Sequence, residues 1–390
     1  MPWLVLERTG SASAAGLVAA ATAAPLVLVS LFSGTIVDLA GRMRAAVVSD
    51  VLSAVSVLLI PLIDALGALS VGALVALAVL GALFDPAGAS AREAMLPEAA
   101  AQAGWTLDRA NGIHETVFGL AYLVGPGVGG LLIATLGASE ALIGTGVGFV
   151  VAAFCALPLR TLPGAGRPSR EMRPKGLWHG TIEGVRFVWR EPLLLPLAVI
   201  VMLTVALYYP VEGVILPVYF TGQGAPEKLG ILLMVMSGGI VVGTLAYERL
   251  VRWMSKRVLL MLSMLGAAVS LIWMAFLAGY AQLLIAGALS GVFWGPVGPL
   301  LNHAMQARTP HRLRGRVVAN ISSASLAAGP AGFVAVGFLV DAAGVRPAFL
   351  GLSVALFLVL LALAPLRAWK LFDAEPVPGS AASDHRLGEG

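Results

Sequence analysis

Long apolar blocks alternate with short, mostly basic polar stretches along the whole chain. A helix that crosses a bilayer needs roughly 20 apolar residues. Blocks of that kind fall at 11–36, 45–64, 68–90, 112–136, 140–159, 193–219, 229–247, 258–278, 281–304, 317–340 and 347–366. Residues 258–307 hold no Asp, Glu, Lys or Arg and are too long for one crossing, so the pattern predicts a break at Gly279-Tyr280. The expectation is an all-α membrane protein with eleven complete spans.

One block is unusual. Within the charge-free run Thr116–Ser139 sits Gly125-Pro126-Gly127-Val128-Gly129-Gly130. Such a string would ruin a soluble helix, because Pro removes a backbone donor and each Gly costs stability. In hydrocarbon the backbone has no water to turn to, so the segment stays helical and bends at Pro126. The glycines leave a bare face that a neighbouring helix can approach closely. A bent helix with a small-residue face suits packing against a partner that moves, which favours a transporter over an enzyme.

Composition agrees. The chain is 58% hydrophobic and 12% charged, with no polar block long enough for a separate soluble domain. Its single cysteine, Cys155, cannot form an internal disulfide. The net charge of +4 does not mark a nucleic-acid partner, because the basic residues are sorted by side. If the spans alternate, every Lys and Arg except Arg8, Lys228 and Arg346 falls on one face of the membrane. The positive-inside rule places that face in the cytoplasm and predicts a multi-pass protein of the cytoplasmic (inner) membrane.

Residues 1–6 cannot cross a bilayer, yet the first complete span starts from outside. They read as the outer end of a preceding helix, helix 1 of a twelve-helix protein. The alternative is an eleven-helix protein. The halves repeat: Gly81–Gly88 returns as Gly291–Gly298, Gly34-Thr35 as Gly243-Thr244, and Gly125-Pro126 as Gly329-Pro330. Both copies run in the same sense, as in a parallel repeat of six plus six spans. The expected organisation is an N-terminal helical half (1–160), a cytoplasmic linker (161–191) carrying a short amphipathic surface helix, a C-terminal half (192–371) and a disordered tail (372–390).

With these residues in hand, the chain resembles the major facilitator superfamily over nearly its whole length. Gly34-x-x-x-Asp38-x-x-Gly41-Arg42-x-Arg44 resembles the signature loop between that family's second and third helices. The Gly-Pro-x-x-Gly-Gly string resembles the motif of drug–proton antiporters. Pro2–Leu6, Met95–Ala100 with Gly104-Trp105, and Arg314–Val318 leading to Ala328-Gly329-Pro330 resemble the actinobacterial Tap-type multidrug efflux pumps, linked to tetracycline and aminoglycoside export. The chain departs from the signature at Leu39 and Met43, where basic residues are usual. It also lacks, between Ser70 and Ala89, the arginine common in helix 4 of drug antiporters. Proton coupling then either runs through other residues or cannot be read from this pattern.

The resemblance implies a conformational latch at Asp38, Gly41, Arg42 and Arg44, in which Asp38 gains and loses a partner between two states. Gly125, Pro126, Gly129 and Gly130 form the antiporter motif. Glu115 lies in the first turns of its span, and a charged carboxylate facing lipid at the bilayer centre would cost about 2.5–3.5 kcal/mol. It therefore faces the interior or sits near the interface, as a proton or cation site or as a helix N-terminal stabiliser. Glu212, in Tyr208-Tyr209-Pro210-Val211-Glu212, suits either a cavity wall for an amphipathic cation or an aromatic interfacial belt. Asp85 is a gate candidate, Asn320 a polar contact between helices, and Asp50 and Asp64 read as interfacial. His303 reads as near the cytoplasmic interface.

No metal-ligand spacing, phosphate-cradling loop or nucleophile–base set occurs, so neither a metal, a cofactor nor an enzymatic activity is expected. The sequence thus predicts a monomeric secondary exporter of drug-like small molecules, working in the lipid bilayer by proton antiport and alternating access. A siderophore or metabolite exporter of the same fold, and an inactive truncated membrane protein, remain the alternatives.

Overall fold

The computed structural model describes residues 2–161, 177–309 and 314–373, with the backbone alone described at 27–40, at Glu115 and at several other helical positions. Residues 162–176 of the expected linker and 374–390 of the expected tail lie outside the described residues. All regular structure among the described residues is helical: α1 (Pro2–Thr9), α2 (Ala12–Ala40), α3 (Arg42–Ala65), α4 (Val71–Gln102), α5 (Leu107–Leu136), α6 (Ala141–Ala156), α7 (Leu177–Arg190), α8 (Leu194–Pro210), α9 (Leu216–Thr221), α10 (Pro226–Trp253), α11 (Lys256–Met274), α12 (Tyr280–Trp294), α13 (Val297–Arg308), α14 (Arg314–Ala343) and α15 (Val345–Leu363). Ten crossings are long and apolar enough to span a membrane among the described residues, and α2, apolar over Ala12–Leu26, accounts for the eleventh predicted block. Gly279 caps α12, at the predicted break.

The connections are shorter than the polar stretches suggest. Only Gly41 separates α2 from α3, and its φ of 89° is a left-handed turn that glycine adopts without strain. The stretch 91–111, expected as a loop, is mostly helix, because α4 runs on to Gln102. That change carries Arg92 and Glu98 onto a helix face. Ser70, Thr106 and Ser255 each accept a hydrogen bond from a backbone N–H in the first turn of α4, α5 and α11.

Packing divides the chain into two units. The first comprises Met1–Lys175 with Leu216–Gly230, and the second Gly176–Ile215 with Ile231–Gly390. In the first, α3 packs on α4 and α6, α2 packs on α4, and α1 packs on α2 and α9. Trp3, Leu4, Val5 and Leu6 of α1 are buried, and the Arg8 guanidinium pairs with Asp64. In the second unit α8 packs on α14 and α15, and α11 on α12 and α15. The glycines of α12 lie on the backbone of α10: a Cβ on Gly291 would run into the Met236 carbonyl, and one on Gly239 would meet Gly291 Cα at 3.1 Å. Small residues at helix crossings replace the hydrophobic drive that lipid cannot supply.

The amphipathic helix α7 lies on α14, with Ile182 and Trp189 exposed. A final 3₁₀ turn, Arg367–Phe372, closes the second unit. Trp369 is 0% exposed and its Nε1 donates to the Leu363 carbonyl at 2.7 Å. Arg308 donates to the Leu371 carbonyl at 2.5 Å. His303 lies 2.9 Å from the Lys256 ammonium, at the N-terminal end of α11. Replacing a buried aromatic by alanine costs about 3–5 kcal/mol. Trp369→Ala is therefore expected to lower the unfolding temperature of the detergent-solubilised protein by several degrees, whereas Trp189→Ala, at an exposed position, leaves a thermal-shift trace unchanged.

Candidate functional site

Chemistry collects at three places. The first is where the start of α3 meets the C-terminal part of α4. Arg42, in the first turn of α3, donates to Glu98 Oε1 on α4 at 2.7 Å, with both side chains about one-third exposed. Arg44 is exposed. The side chain of Asp38 lies outside the described residues, so the partner that the structure gives Arg42 is Glu98, an acid hidden in the stretch read as a loop. Further along the same helices lies Asp50, which the sequence reads as interfacial and which the structure buries within the protein. It is 2% exposed and accepts from Arg92 Nη1 at 2.7 Å. Asp85 accepts from Ser53 Oγ at 2.5 Å. The burial of Asp50 was not legible in the sequence because its partner arrives only when α4 is extended to carry Arg92.

The second place is the Gly-Pro string of α5. A Cβ on Gly130 would sit 2.6 Å from the Pro226 carbonyl, and one on Gly230 would sit 2.5 Å from the Pro126 carbonyl. The first turn of α10 therefore lies backbone to backbone on α5, both within the first unit. The predicted bare face is used at Gly130, while Gly125 and Gly129 face open space. Toward the start of α5, α4 and α5 line a cavity of 570 Å³ walled by Trp105, His114, Phe118 and small apolar residues. Arg109 lies over the Trp105 ring at 4.7 Å, and His114 stacks with Phe118. Glu115 is in α5, but its side chain lies outside the described residues.

The third place belongs to the second unit. Pro210 has no N–H for the Ala206 carbonyl, and Pro217 has none for Gly213. Between them Val211–Ile215 widens into a π-helical turn carrying Glu212. Such turns recur at functional sites, because they tilt a side chain away from the regular helix face. Gly332 of α14 approaches the freed Ala206 carbonyl, and Phe333 covers Gly213. Tyr208 is buried and stacks on Trp294 of α12, with ring centroids 5.2 Å apart and planes 10° apart. Tyr209 meets Tyr208 edge-on and is itself exposed. The buried Tyr208 hydroxyl lies between the Ser290 hydroxyl and the half-buried Glu212 carboxylate and interacts with both. Rings, hydroxyls and a carboxylate therefore meet at one place inside the second unit. Sequence reasoning found Tyr208, Tyr209 and Glu212 but missed Ser290 and Trp294, which join them only through the α8–α12 approach. Asn320 stands apart, on the wall of a 230 Å³ cavity between α7, α8 and α14.

Ten membrane-length apolar helices among the described residues, closely packed through glycines within each unit, define a multi-pass membrane protein. The chain matches the Major Facilitator Superfamily over residues 1–329, and it belongs to that family. It is 44% identical over 361 residues to the multidrug efflux pump Tap of Mycolicibacterium fortuitum, covering 92% of this chain and 88% of that protein. It is 42% identical over 381 residues to the multidrug efflux pump Tap of Mycobacterium tuberculosis, covering 96% and 90%. The crystal structure of the nucleoside transporter NupG shares the fold, with a TM-score of 0.75 at 10% identity over 94% of each chain.

Two predictions follow from the contacts. Arg42→Glu breaks the pair with Glu98 and is expected to reduce transport into inverted membrane vesicles several-fold, and the exchange Arg42→Glu/Glu98→Arg recovers part of it. Exposed pairs contribute only about 0–1 kcal/mol to stability, so folding yield should not change. Gly130→Val drives a side chain into the α10 backbone, where overpacking costs about 1–3 kcal/mol. Transport should fall strongly, and disulfide trapping between cysteines placed at 126 and 230 should weaken.

Proposed function

We propose that the protein exports amphipathic, cationic drug-like molecules across the cytoplasmic membrane, by alternating access and in exchange for protons. The single observation that carries this reading is the cluster of Glu212, Tyr208 and Trp294 within the membrane crossing. A stacked aromatic pair offers a flat apolar face, and a carboxylate beside it offers the charge that holds a cation there. An ionisable residue at membrane depth is costly and is retained for function. The names of the two Tap pumps, both called multidrug efflux pumps, support the same substrate class.

Energetics set the terms of the exchange. A proton moving inward through roughly 100 mV releases about 2.3 kcal/mol, and each pH unit adds about 1.36 kcal/mol. For a neutral drug the two together sustain a gradient of a few hundredfold per proton. For a monovalent cation exchanged one for one, the electrical part cancels and only the pH gradient remains. The first turn of α10 on α5 is a natural closing contact for the outer side, and the Arg42–Glu98 pair for the inner side.

The test is transport of ethidium, an amphipathic cation, into inverted membrane vesicles carrying the protein. Glu212→Gln is expected to raise the half-saturating ethidium concentration about tenfold or more, the scale of one lost charge contact in a partly dry site. Transport of an uncharged drug should change far less. Equal loss for charged and neutral compounds would count against a cation site at Glu212, and an absence of ethidium export in the unaltered protein would refute the exporter reading.

A further inference from the structure

The facing surfaces of α3 and α4 carry a polar stripe that the cation site does not use. On α3, Ser49, Asp50, Ser53 and Ser56 are each at most 3% exposed. They fall on one helical face by their spacing. On α4, Gly81, Asp85, Gly88 and Arg92 recur at intervals of four, three and four, again one face. The glycines let the helices close: a Cβ on Gly88 would lie 2.5 Å from Ser49 Oγ, and one on Gly81 would lie 2.8 Å from Ser56 Oγ. Ser49 Oγ donates to the Phe84 carbonyl at 2.7 Å, Ser53 Oγ donates to Asp85 Oδ1 at 2.5 Å, and Arg92 Nη1 donates to Asp50 Oδ1 at 2.7 Å.

One atom is left over. Asp50 Oδ2 is fully buried and accepts no hydrogen bond among the described residues. Such an atom at membrane depth is expensive unless something neutralises it. The charge count points the same way, since two carboxylates face one guanidinium and the network carries one negative charge too many. Among the described residues no other ionisable group makes up the difference. The charged neighbours felt by Asp85 are Arg92 and Asp50. On α4 itself Glu93 is exposed and Glu98 is taken by Arg42. The described side chains of α2 include no ionisable group, and α6 brings only the exposed Cys155. On α5, Arg109 is occupied by Trp105 and His114 stacks with Phe118. Arg160, just beyond α6, is exposed.

We propose that Asp50 and Asp85, held across the α3–α4 contact by Arg92 and Ser53, share one exchangeable proton and form the proton-carrying site of the transporter, separate from the cation site around Glu212. This rests on the reading that export is driven by protons. An O–H bond forms on one of the two carboxyls when the proton arrives from outside, and it breaks when the proton leaves to the cytoplasm. Arg92 marks the exit: its side chain is 41% exposed while its partner Asp50 is 2% exposed, so water beside the guanidinium, which keeps its own protons, accepts the proton from the acid. With the proton bound, Arg92 need neutralise only Asp50. With the proton gone, it must hold both carboxylates, drawing the cytoplasmic part of α4 onto α3. Glu98 lies about 9 Å further along α4 than Arg92, at 1.5 Å per residue, so the same two helices carry the change to the Arg42–Glu98 pair.

The experiment uses the full chain in proteoliposomes, with ethidium as probe and two readouts. One is accumulation driven by an imposed pH gradient, where one unit supports about a tenfold ethidium gradient per proton. The other is counterflow, the exchange of labelled for unlabelled ethidium without a gradient. Asp50→Asn and Asp85→Asn are each expected to abolish accumulation while counterflow persists, with Asp50→Glu and Asp85→Glu regaining part of the accumulation. Normal accumulation in both Asn variants would overturn the proposal. So would loss of counterflow as well, uncorrected by the Glu variants, since that marks a packing role. If the unaltered protein ignores the pH gradient, or follows a sodium gradient instead, the proton-driven reading fails first and this proposal with it.

Discussion

The rest of the structure depends on one constraint: inside hydrocarbon, every backbone N–H and C=O must find its partner within the protein. That requirement turns even a Gly-Pro-Gly string into helix, and all regular structure among the described residues is helical. It also removes the usual reason for helices to associate, because lipid is as apolar as a leucine side chain. Association then relies on close approach. Gly130 against Gly230, Gly239 against Gly291 and Gly332 against Ala206 are three versions of that solution.

Close approach is also what makes polar chemistry possible here. A buried carboxylate survives only where a donor can reach it, and donors reach it only where helices nearly touch. Gly81 and Gly88 bring α4 within reach of the α3 serines, and the Asp50–Arg92 and Ser53–Asp85 bonds occupy the same seam. In the second unit, prolines do a related job. By freeing carbonyls at 206 and 213 they allow the π-turn that aims Glu212, and Gly332 covers one of the exposed groups. Packing and chemistry are therefore not separate layers in this fold.

Much of this was legible in the chain. The apolar blocks located the crossings to within a few residues, and the bare glycine face of α5 was visible before any partner was known. What stayed hidden has a common physical cause: partners that only tertiary packing brings together. Glu98 and Arg92 lie in a polar stretch whose helical continuation no periodicity announced. Asp50 looked interfacial because a carboxylate near a span end usually is, and only Arg92 arriving from α4 makes its burial tolerable. Trp294 and Ser290 read as ordinary residues of another crossing until α12 meets α8. The placement of Leu216–Gly230 with the first unit has no sequence signature at all.

The α5–α10 contact is made of main chain, whereas the cluster around Glu212 is made of rings, hydroxyls and a carboxylate. The main-chain contact is thus indifferent to which side chains stand in that cluster, as long as glycine remains at the crossing. Substitutions can rewrite the cluster one residue at a time without disturbing the helix crossing. Inherited change is therefore cheapest among the rings and hydroxyls, and the glycines are where the chain has least freedom to vary.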